Sequence, residues 1–521
     1  MVRPLGAGGP GLTTALPFGK GGGAVTTAPP TLLVRHAAVL YPCAEPGERP
    51  LLDAWISMRD GVVQALGPEP YEGPEPVETI DGSRHLVLPG FVNVHHHYTQ
   101  SLTRVVPSGQ KGRSLDWLGA MYPLWQEIDE EAVDAAARLT AAQLMLSGVT
   151  TSLDHAYFYP GGRDRLLDVE IAAVSEAGLR QHAVRGCVAR LEGDIEAMIL
   201  AMPGGRDIAT SEEPDAIMTA CERTLAEHHD PAPLSMVRVG LGPTQIAYHN
   251  PDLMHRLGAL AAEADCDLHV HVTPRPDDVA LCAETFECRP TAYLNRIGWL
   301  RPKTCLVHCT MHTAEDIAVL AGTGAGVAHC PSQNMRLGFP IGPIPEMRRA
   351  GVPVGIGVDG AGSNDGGSIL TEMRLATLAH RLMGTHDDYG PDDWMTPHDV
   401  LWMATREGAR ILGREDIGRL APGAAADLVM IDLGRLCYAG GLHDPLACIL
   451  FVGDTGQVDT TVVAGRIRVR GGRLVDADED SLAAAANRSA ARLVARARAR
   501  TGRDFGSLAD RLVAASDGAA G

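Results

Sequence analysis

Eight short apolar segments between residues 89 and 415 constrain the fold of this chain more than any other feature. Each has the length of a strand, carries His, Asp, Arg or Gln near its end, and is separated from the next by an Ala-rich and Leu-rich stretch of helical length. The segments are GFVNVHHH, GVTTSLDHA, RQHAVRGCV, SMVRVGLGPTQ, CDLHVHVT, TCLVHCT, GAGVAHCPS and VPVGIGVDG. Eight buried parallel strands alternating with helices form a TIM-type (β/α)8 barrel, whose strands end at one shared mouth. We therefore predict an α/β fold with such a barrel over residues 89–415.

The segments on either side of the predicted barrel have a different character. Residues 31–88 and 416–476 contain short β-rich runs separated by turn residues, which predicts one small sheet domain built from both parts of the chain. Residues 477–521 are rich in Ala with Arg at close intervals, which predicts a helical segment whose basic face packs on the barrel or on a neighbouring subunit. Residues 1–30 are rich in Gly, Pro and Thr, and we expect a disordered tail there.

Composition narrows the possible partners. The 521 residues include 45 basic and 64 acidic side chains, a formal net charge of −19, which opposes binding to nucleic acid phosphates or anionic lipid. No run of 18 apolar residues is present, and the first thirty residues lack the apolar segment of a signal peptide, so we expect a cytoplasmic protein without nucleic acid or membrane partners. The 11 cysteines form no CxxC pair, which favours buried reduced thiols over disulfides or a zinc ribbon.

Histidines and one aspartate cluster at the predicted strand ends. His95 and His97 close the first barrel segment, and the strand period of two sends both to one side while His96 points away. Further candidates end later segments of the barrel: His269 and His271 in the fifth, His308 in the sixth, His329 in the seventh and Asp359 in the eighth. Neutral imidazoles with one carboxylate suit Zn²⁺ or Fe²⁺ with a coordination position left open. The pattern therefore predicts a catalytic metal centre at the barrel mouth.

Several motifs resemble the amidohydrolase superfamily, in particular the branch that contains 8-oxoguanine deaminases and triazine hydrolases. The resemblance extends from about residue 31 to 474, with the motifs in the same order as in that branch. They are PGFVNVHHH, YTQSLTR, LDWL, HVH, CRPTAYL, LVHC, AHCPSQNMRL, GVDGAGSNDG and HDPLACILF. The resemblance implies a distorted barrel with a β-sandwich formed by both chain ends, and a homodimer or larger homo-oligomer.

The resemblance also implies roles for individual residues. His95, His97, His271 and Asp359 would hold one ion per chain, Zn²⁺ with Fe²⁺ as an alternative. Asp359 would in addition accept a proton from the attacking water, and His308 would orient or polarise the reacting group. Such an ion acts as a Lewis acid on the attacked carbon.

We expect the substrate to be a planar aromatic nitrogen compound that is attacked at a C=O or C=N carbon. Polar and aromatic side chains at or just beyond the strand ends are the candidates for contacting it. They are Gln100, Trp117, Arg185, Gln245 and His269, the last of which we place behind the metal ligands.

One departure from the branch bears on the chemistry. Its deaminases carry HxHxxE after the fifth strand, where the Glu moves a proton to the departing ammonia; here the segment reads His269-Val-His271-Val-Thr-Pro274. Proline carries no proton, and loss of a positioned acid typically costs about 10²- to 10⁴-fold in rate. Asp277, Asp278 and Glu284 follow, but on a segment that Pro274 and Pro276 stiffen.

The missing Glu therefore favours hydrolysis of an activated bond or ring-closing cyclodehydration. The latter is the chemistry of the amidohydrolase-like cyclases that form benzoxazoles in secondary metabolism. The alternatives are an 8-oxoguanine or aminotriazine type of deaminase and an inactive relative that binds a heterocycle. Retention of every expected metal ligand and of His308 argues against the inactive relative, because a degenerate site has no reason to keep them.

Overall fold

The structure is a computed structural model that describes residues 29–189, 200, 212–246, 250–273, 275–382, 390–453 and 456–513. Residues 1–28 of the predicted tail and Pro274 lie outside the described residues. Within the described part of the chain, no helix is long and apolar enough to cross a membrane. All 11 cysteines are described, and none is in a disulfide.

A nine-stranded sheet combines both flanking segments, as predicted. Its first five strands are β1 (Leu32–Leu40), β2 (Leu51–Arg59), β3 (Val62–Pro68), β4 (Glu78–Asp81) and β5 (His85–Pro89). The hairpin between β2 and β3 turns at Asp60 and Gly61, which both have positive φ, the backbone that a two-residue hairpin of right-handed twist requires.

The barrel follows directly. Its eight strands are β6 (Phe91–Asn93), β7 (Val149–Ala156), β8 (Arg180–Cys187), β9 (Val237–Pro243), β10 (Asp267–Val272), β11 (Thr304–His308), β12 (Gly326–His329) and β13 (Val354–Ile356). They pair in parallel in chain order. Beyond the last strand, the amide of Val94 donates to the carbonyl of Ile356 at 3.1 Å, which brings β6 and β13 together and nearly closes the barrel. The predicted (β/α)8 fold is confirmed.

The chain then returns to the first sheet with β14 (Leu428–Asp432), β15 (Thr460–Val463), β16 (Arg466–Arg470) and β17 (Arg473–Leu474). The order is β17-β16-β15-β14-β5-β1-β2-β3, with β4 beside β1. Antiparallel pairing of β14 with β5 joins the two parts of the chain in one sheet. This sheet fits the small sandwich that the resemblance implies.

Helices cover the outside of the barrel. The described α-helices are Ser114–Trp125, Glu130–Leu146, Leu166–Ala177, Pro214–His228, Pro251–Glu263, Pro276–Phe286, Pro290–Arg296, Ala314–Leu320, Pro331–Leu337, Ile344–Arg349, Ala361–Asn364, Ile369–Ala379, Pro397–Trp402, Gly408–Ile411, Pro445–Phe451 and Glu479–Thr501. Short 3-10 turns include Tyr98–Thr103, and a π turn spans Met403–Glu407.

The last helix, Glu479–Thr501, is the predicted basic helix. It packs on the helices of its own barrel, where Arg492 and Arg496 both bind Asp129, and Arg500 binds Glu127 at 2.6 Å. These three arginines therefore bind acidic side chains of the same chain, at the loop between the first two helices.

The barrel interior explains where a polar site can form. Aliphatic side chains fill the lower part, among them Val92, Val94, Leu153, Val307 and Ala328. On β7, Leu153 is followed on the inward face by His155, at the carboxyl end of the strand. A polar site can therefore form at the carboxyl ends of the strands, above an apolar interior.

Candidate metal centre

The strand ends bring His95, His97, His271 and Asp359 together. His95 Nε2 and His97 Nε2 lie 3.5 and 3.7 Å from Asp359 Oδ1, and His97 Nε2 lies 3.3 Å from His271 Nε2. His95, His97 and Asp359 are buried, and His271 is partly buried. His96 points away as predicted, and its Nδ1 accepts a hydrogen bond from the amide of His97.

The donor set fits a divalent ion such as Zn²⁺. Burial lowers the pKa of each of the three histidines, to about 3 for His271, which keeps the imidazoles neutral and able to coordinate. Burial opposes ionisation of Asp359, but the neighbouring His95 and His308 hold the pKa of its carboxyl well below the usual range. His95 Nε2 is buried without a hydrogen-bond partner, as a nitrogen reserved for a metal would be. Three imidazole nitrogens and one carboxylate form a common zinc set.

A second layer of hydrogen bonds orients the three rings. In each ring Nδ1 is engaged, so that Nε2 is the nitrogen that faces the centre. The bonds join His95 Nδ1 to His269 Nε2 at 2.9 Å, His97 Nδ1 to the carbonyl of His155 at 2.8 Å, and His271 Nδ1 to the carbonyl of Thr244 at 2.6 Å.

Backbone strain is concentrated at the same strand ends. His308, Cys309 and Asp359 adopt φ values of 74°, 51° and 66°, in the left-handed region that side chains rarely occupy. The turn at Asp359 is held by Asn93, whose Oδ1 accepts from the amide of Val358 at 2.8 Å. Strained residues persist where the surrounding structure over-determines them, which is typical of functional sites.

His308 joins the cluster as predicted. Its Nε2 lies 3.8 Å from Asp359 Oδ2, and its ring stacks on that of His271 with centroids 5.5 Å apart. His329 belongs to another contact, because its Nε2 lies 3.2 Å from Nε2 of the buried His380.

Gln100 and Trp117 lie against the turn that carries Asp359. A Cβ placed on Gly360 would meet Oε1 of Gln100 at 2.1 Å, and Nε1 of Trp117 donates to the carbonyl of Gly362 at 3.0 Å. Both side chains are largely buried. They shape the wall of the mouth next to Asp359.

The other candidate contacts are placed differently. Arg185 is fully buried, with Nη2 at 2.5 Å from Glu212 and its guanidinium 3.8 Å above the ring of Tyr159, so its hydrogen-bonding capacity is largely used inside the protein. Gln245 bridges to His271, next to the carbonyl that orients that ring. His269 is fully buried behind His95.

Sequence reasoning missed His155. Its ring lies 5.7 Å from that of His97, 4.9 Å from that of His269 and 5.3 Å from that of His271. The available signal was the strand period in TTSLDHA, since Leu153 and His155 share the inward face.

Asp278, the first buried carboxylate after Pro274 among the described residues, is already bound to Arg275. Asp278 accepts from the amide of Arg275 at 3.0 Å and binds its guanidinium. These contacts cap the helix Pro276–Phe286. Asp278 is thus held at the start of its own helix.

Comparisons with known proteins agree with the geometry. The profile of the amidohydrolase family matches residues 86–468. The chain is 36% identical over 441 residues to the 8-oxoguanine deaminase of Pseudomonas aeruginosa, covering 84% of this chain and 95% of that protein. It is 35% identical over 445 residues to the hydroxydechloroatrazine ethylaminohydrolase of Pseudomonas sp. strain ADP, covering 83% and 89%. The zinc complex of atrazine chlorohydrolase TrzN from Arthrobacter aurescens TC1 superimposes with a TM-score of 0.80, at 29% identity, over 88% of this chain and 100% of that one.

Proposed function

Because the chain belongs to the amidohydrolase family, we propose that it hydrolyses a C–N bond on a planar nitrogen heterocycle and replaces an amine by a hydroxyl group. Membership makes it an enzyme that acts on C–N bonds. The convergence of three imidazole nitrogens on the carboxylate of Asp359 is the observation that supports the proposal most directly.

The proposed ion is Zn²⁺, held by His95, His97, His271 and Asp359, with Fe²⁺ as the alternative. When bound, a divalent ion supplies Lewis acidity, which makes water a stronger acid and a ring carbon more electrophilic. Support comes from the neutral imidazole donors and from the zinc-complexed structural relative.

Two side chains then act on the proton of the attacking water and on the group at the attacked carbon. The carboxylate of Asp359, ionised over the working pH range, accepts a proton from the attacking water. His308, neutral because burial lowers its pKa, lies 3.8 Å from that carboxylate and is positioned to polarise the group on the attacked carbon. The water oxygen bonds to the ring carbon and the C–N bond breaks.

The wall formed by Gln100 and Trp117 is our proposed contact for the heterocycle, because both border the turn of Asp359. Gln245 lies on the opposite side, beside His271. Arg185 contributes by holding Glu212 and Tyr159 in place. A homo-oligomeric state and a cytoplasmic location stay predictions.

The choice of reaction rests on the relatives as well as on Pro274. The relatives above include a deaminase and an ethylaminohydrolase, both named for removal of an amine, and none of them is named for closing a ring. We therefore place amine displacement before cyclodehydration, although Pro274 takes the place of the expected acid.

The test uses protein of measured zinc and iron content and follows products by mass spectrometry. The panel contains 8-oxoguanine and an ethylamino-substituted hydroxytriazine, with ortho-hydroxy aryl amides as ring-closing substrates. We expect an amine to be exchanged for a hydroxyl on one heterocycle, with ammonia or ethylamine released. The Asp359→Asn variant should lose at least about 10²-fold in kcat.

The matched control is Asp432→Asn, which alters an aspartate in the sheet domain and should leave the rate unchanged. Loss of water with ring formation, or substantial turnover by the Asp359→Asn variant, contradicts the proposal. Protein that retains neither zinc nor iron contradicts it as well and points to an inactive relative.

A further inference from the structure

A small cavity lies beside the metal centre, between the barrel and the helix Leu166–Ala177. Its volume is about 30 Å³, enough for one water molecule. His97, His155 and Tyr157 line it on the side of the metal centre, and Glu170 lines it from the helix. The cavity therefore connects a predicted metal ligand with a buried carboxyl group.

Glu170 forms a carboxyl pair with Asp154, which lies on the outward face of β7. Both side chains are almost fully buried, at 1% and 2% exposure, and they are hydrogen-bonded to each other. Within the described residues neither has a salt bridge to a basic side chain. Two carboxyl groups in such contact, without a cation, must share at least one proton.

The proton of the pair resides on Glu170. Asp154 Oδ1 accepts a hydrogen bond of 2.6 Å from the amide of Tyr98, which favours its ionised form. Burial and the proximity of Asp154 raise the pKa of Glu170 well above its usual range, whereas the pKa of Asp154 rises only to about 7. Glu170 is thus a protonated carboxylic acid near neutral pH.

The other oxygen of Glu170 has no partner. Oε1 is buried without a hydrogen bond, and so is Nδ1 of His155, which also lines the cavity. One water molecule between them would satisfy both atoms. Glu372, another buried carboxyl group near the site, is different, because Ser332 and Asn364 donate to both of its oxygens.

We propose that Glu170 is the proton source for the departing amine, acting through one water molecule in this cavity. The inference rests on the proposed function, since only an amine leaving group needs the proton. It explains how an acid can be present although Pro274 stands where the branch has Glu, because Glu170 lies on the helix Leu166–Ala177 and not on the segment after His271. Among the described residues, the ion pairs of His95 and His97 are with Asp359 and not with Glu170.

The atoms balance as follows. The ring carbon gains the oxygen of the attacking water as the C–N bond breaks. The Glu170 carboxyl group turns its proton from Asp154 to the cavity water, which passes one proton to the nitrogen, and the nitrogen leaves as a neutral amine. Asp359 takes up the proton lost by the attacking water and releases it to solvent before the next turnover, and Glu170 regains one proton from solvent. No oxidation or reduction is involved.

The decisive experiment compares two triazines that differ only in the leaving group, ethylamine in one and chloride in the other. The variant Glu170→Gln keeps the size of the side chain and a donor toward Asp154 but carries no acidic proton. We expect kcat/KM on the ethylamino compound to fall about 10²- to 10⁴-fold, with less than about threefold change on the chloro compound. Chloride leaves as an anion and needs no proton.

Two further variants sharpen the comparison. Glu176→Gln changes an exposed glutamate on the same helix, bound to Arg138, and should alter neither rate. Pro274→Glu, added to Glu170→Gln, should restore part of the lost rate on the ethylamino compound. An equal fall on both compounds assigns Glu170 a structural role and overturns the proposal, as does an unchanged rate on both.

An infrared measurement separates failure of this inference from failure of the proposed function. The difference spectrum of the zinc-loaded wild type minus Glu170→Gln should contain the carbonyl stretch of a protonated carboxylic acid at neutral pH. If this carbonyl signal is absent, Glu170 is not the proton source, whatever the substrate. If the signal is present but the protein releases no amine from any heterocycle, the proposed function is refuted. The inference then fails too, because Glu170 has no amine to protonate.

Discussion

The bond between His269 and His95 should control metal affinity. The rings of His97 and His271 are oriented by backbone carbonyls, which no substitution removes, whereas His95 depends on a side chain, Nε2 of His269, at 2.9 Å. In His269→Ala, Nδ1 of His95 is left buried without a partner while the ion holds the ring in place. In the ion-free protein the ring can turn and find another partner. The substitution therefore raises the free energy of the zinc-bound protein more than that of the ion-free protein.

The magnitude follows from that lost bond. An unsatisfied buried polar group costs about 1–3 kcal/mol, and loss of an outer-layer contact to a ligating histidine typically weakens metal binding about 10- to 100-fold. We expect the zinc dissociation constant of His269→Ala to rise by the latter factor, equivalent to about 1.4–2.8 kcal/mol. Competition with a chromophoric chelator at fixed pH measures it.

His269→Gln is the matched control, since its amide reaches the position of Nε2 and keeps the bond; its zinc affinity should stay within about threefold of wild type. His269 is fully buried, so the alanine variant also leaves a cavity, and denaturation of the ion-free proteins measures that loss separately. Equal zinc affinity of the alanine variant and the wild type would refute the reasoning.

Two further predictions concern stability. Asp427→Asn should lower the free energy of unfolding, measured with denaturant, by about 3–5 kcal/mol, because it leaves the fully buried Arg180 without its counter-charge. Asp432→Asn is the control and should lower it by at most about 1 kcal/mol, since its partner Arg84 is 62% exposed. Similar losses in the two variants would contradict the argument. Burial lowers the pKa of His312 to about 4, below its unfolded value near 6.5, so the unfolded chain binds the extra proton and stability is lost as the pH falls from about 6.5 toward 4. When the pH is lowered from 6.5 to 5, the free energy of unfolding of ion-free His312→Gln should fall by about 1.5 kcal/mol less than that of the wild type. An unchanged pH dependence would show that His312 does not titrate this way.

Much of the fold could be predicted because its signals are local. The eight apolar runs became the eight barrel strands, and Asp60-Gly61 became a hairpin turn, since strand length, period and turn chemistry are properties of neighbouring residues. The same period placed His95 and His97 on one side and His96 on the other. Their approach to Asp359 followed from the barrel, whose strand ends meet at one mouth.

The remainder of the site depends on contacts between distant segments. His312 is hydrogen-bonded to Thr273 and to Thr291, and the three residues belong to three different segments of the chain. Arg185 was a candidate for substrate, and its pairing with Glu212 was not visible from either residue alone. Such pairings are set by how helices pack on the barrel, for which one sequence has no local signal.

Pattern and spacing by themselves determined the barrel, the two-part sheet and the residue types gathered at the mouth, because periodicity and chain order decide them. Only the tertiary structure decided which nitrogen of each histidine faces the centre, that Asp154 and Glu170 share a proton, and that one oxygen of Glu170 opens into a cavity. These features arise from desolvation and from hydrogen bonds between side chains far apart in the chain, and both depend on the packed environment of each atom.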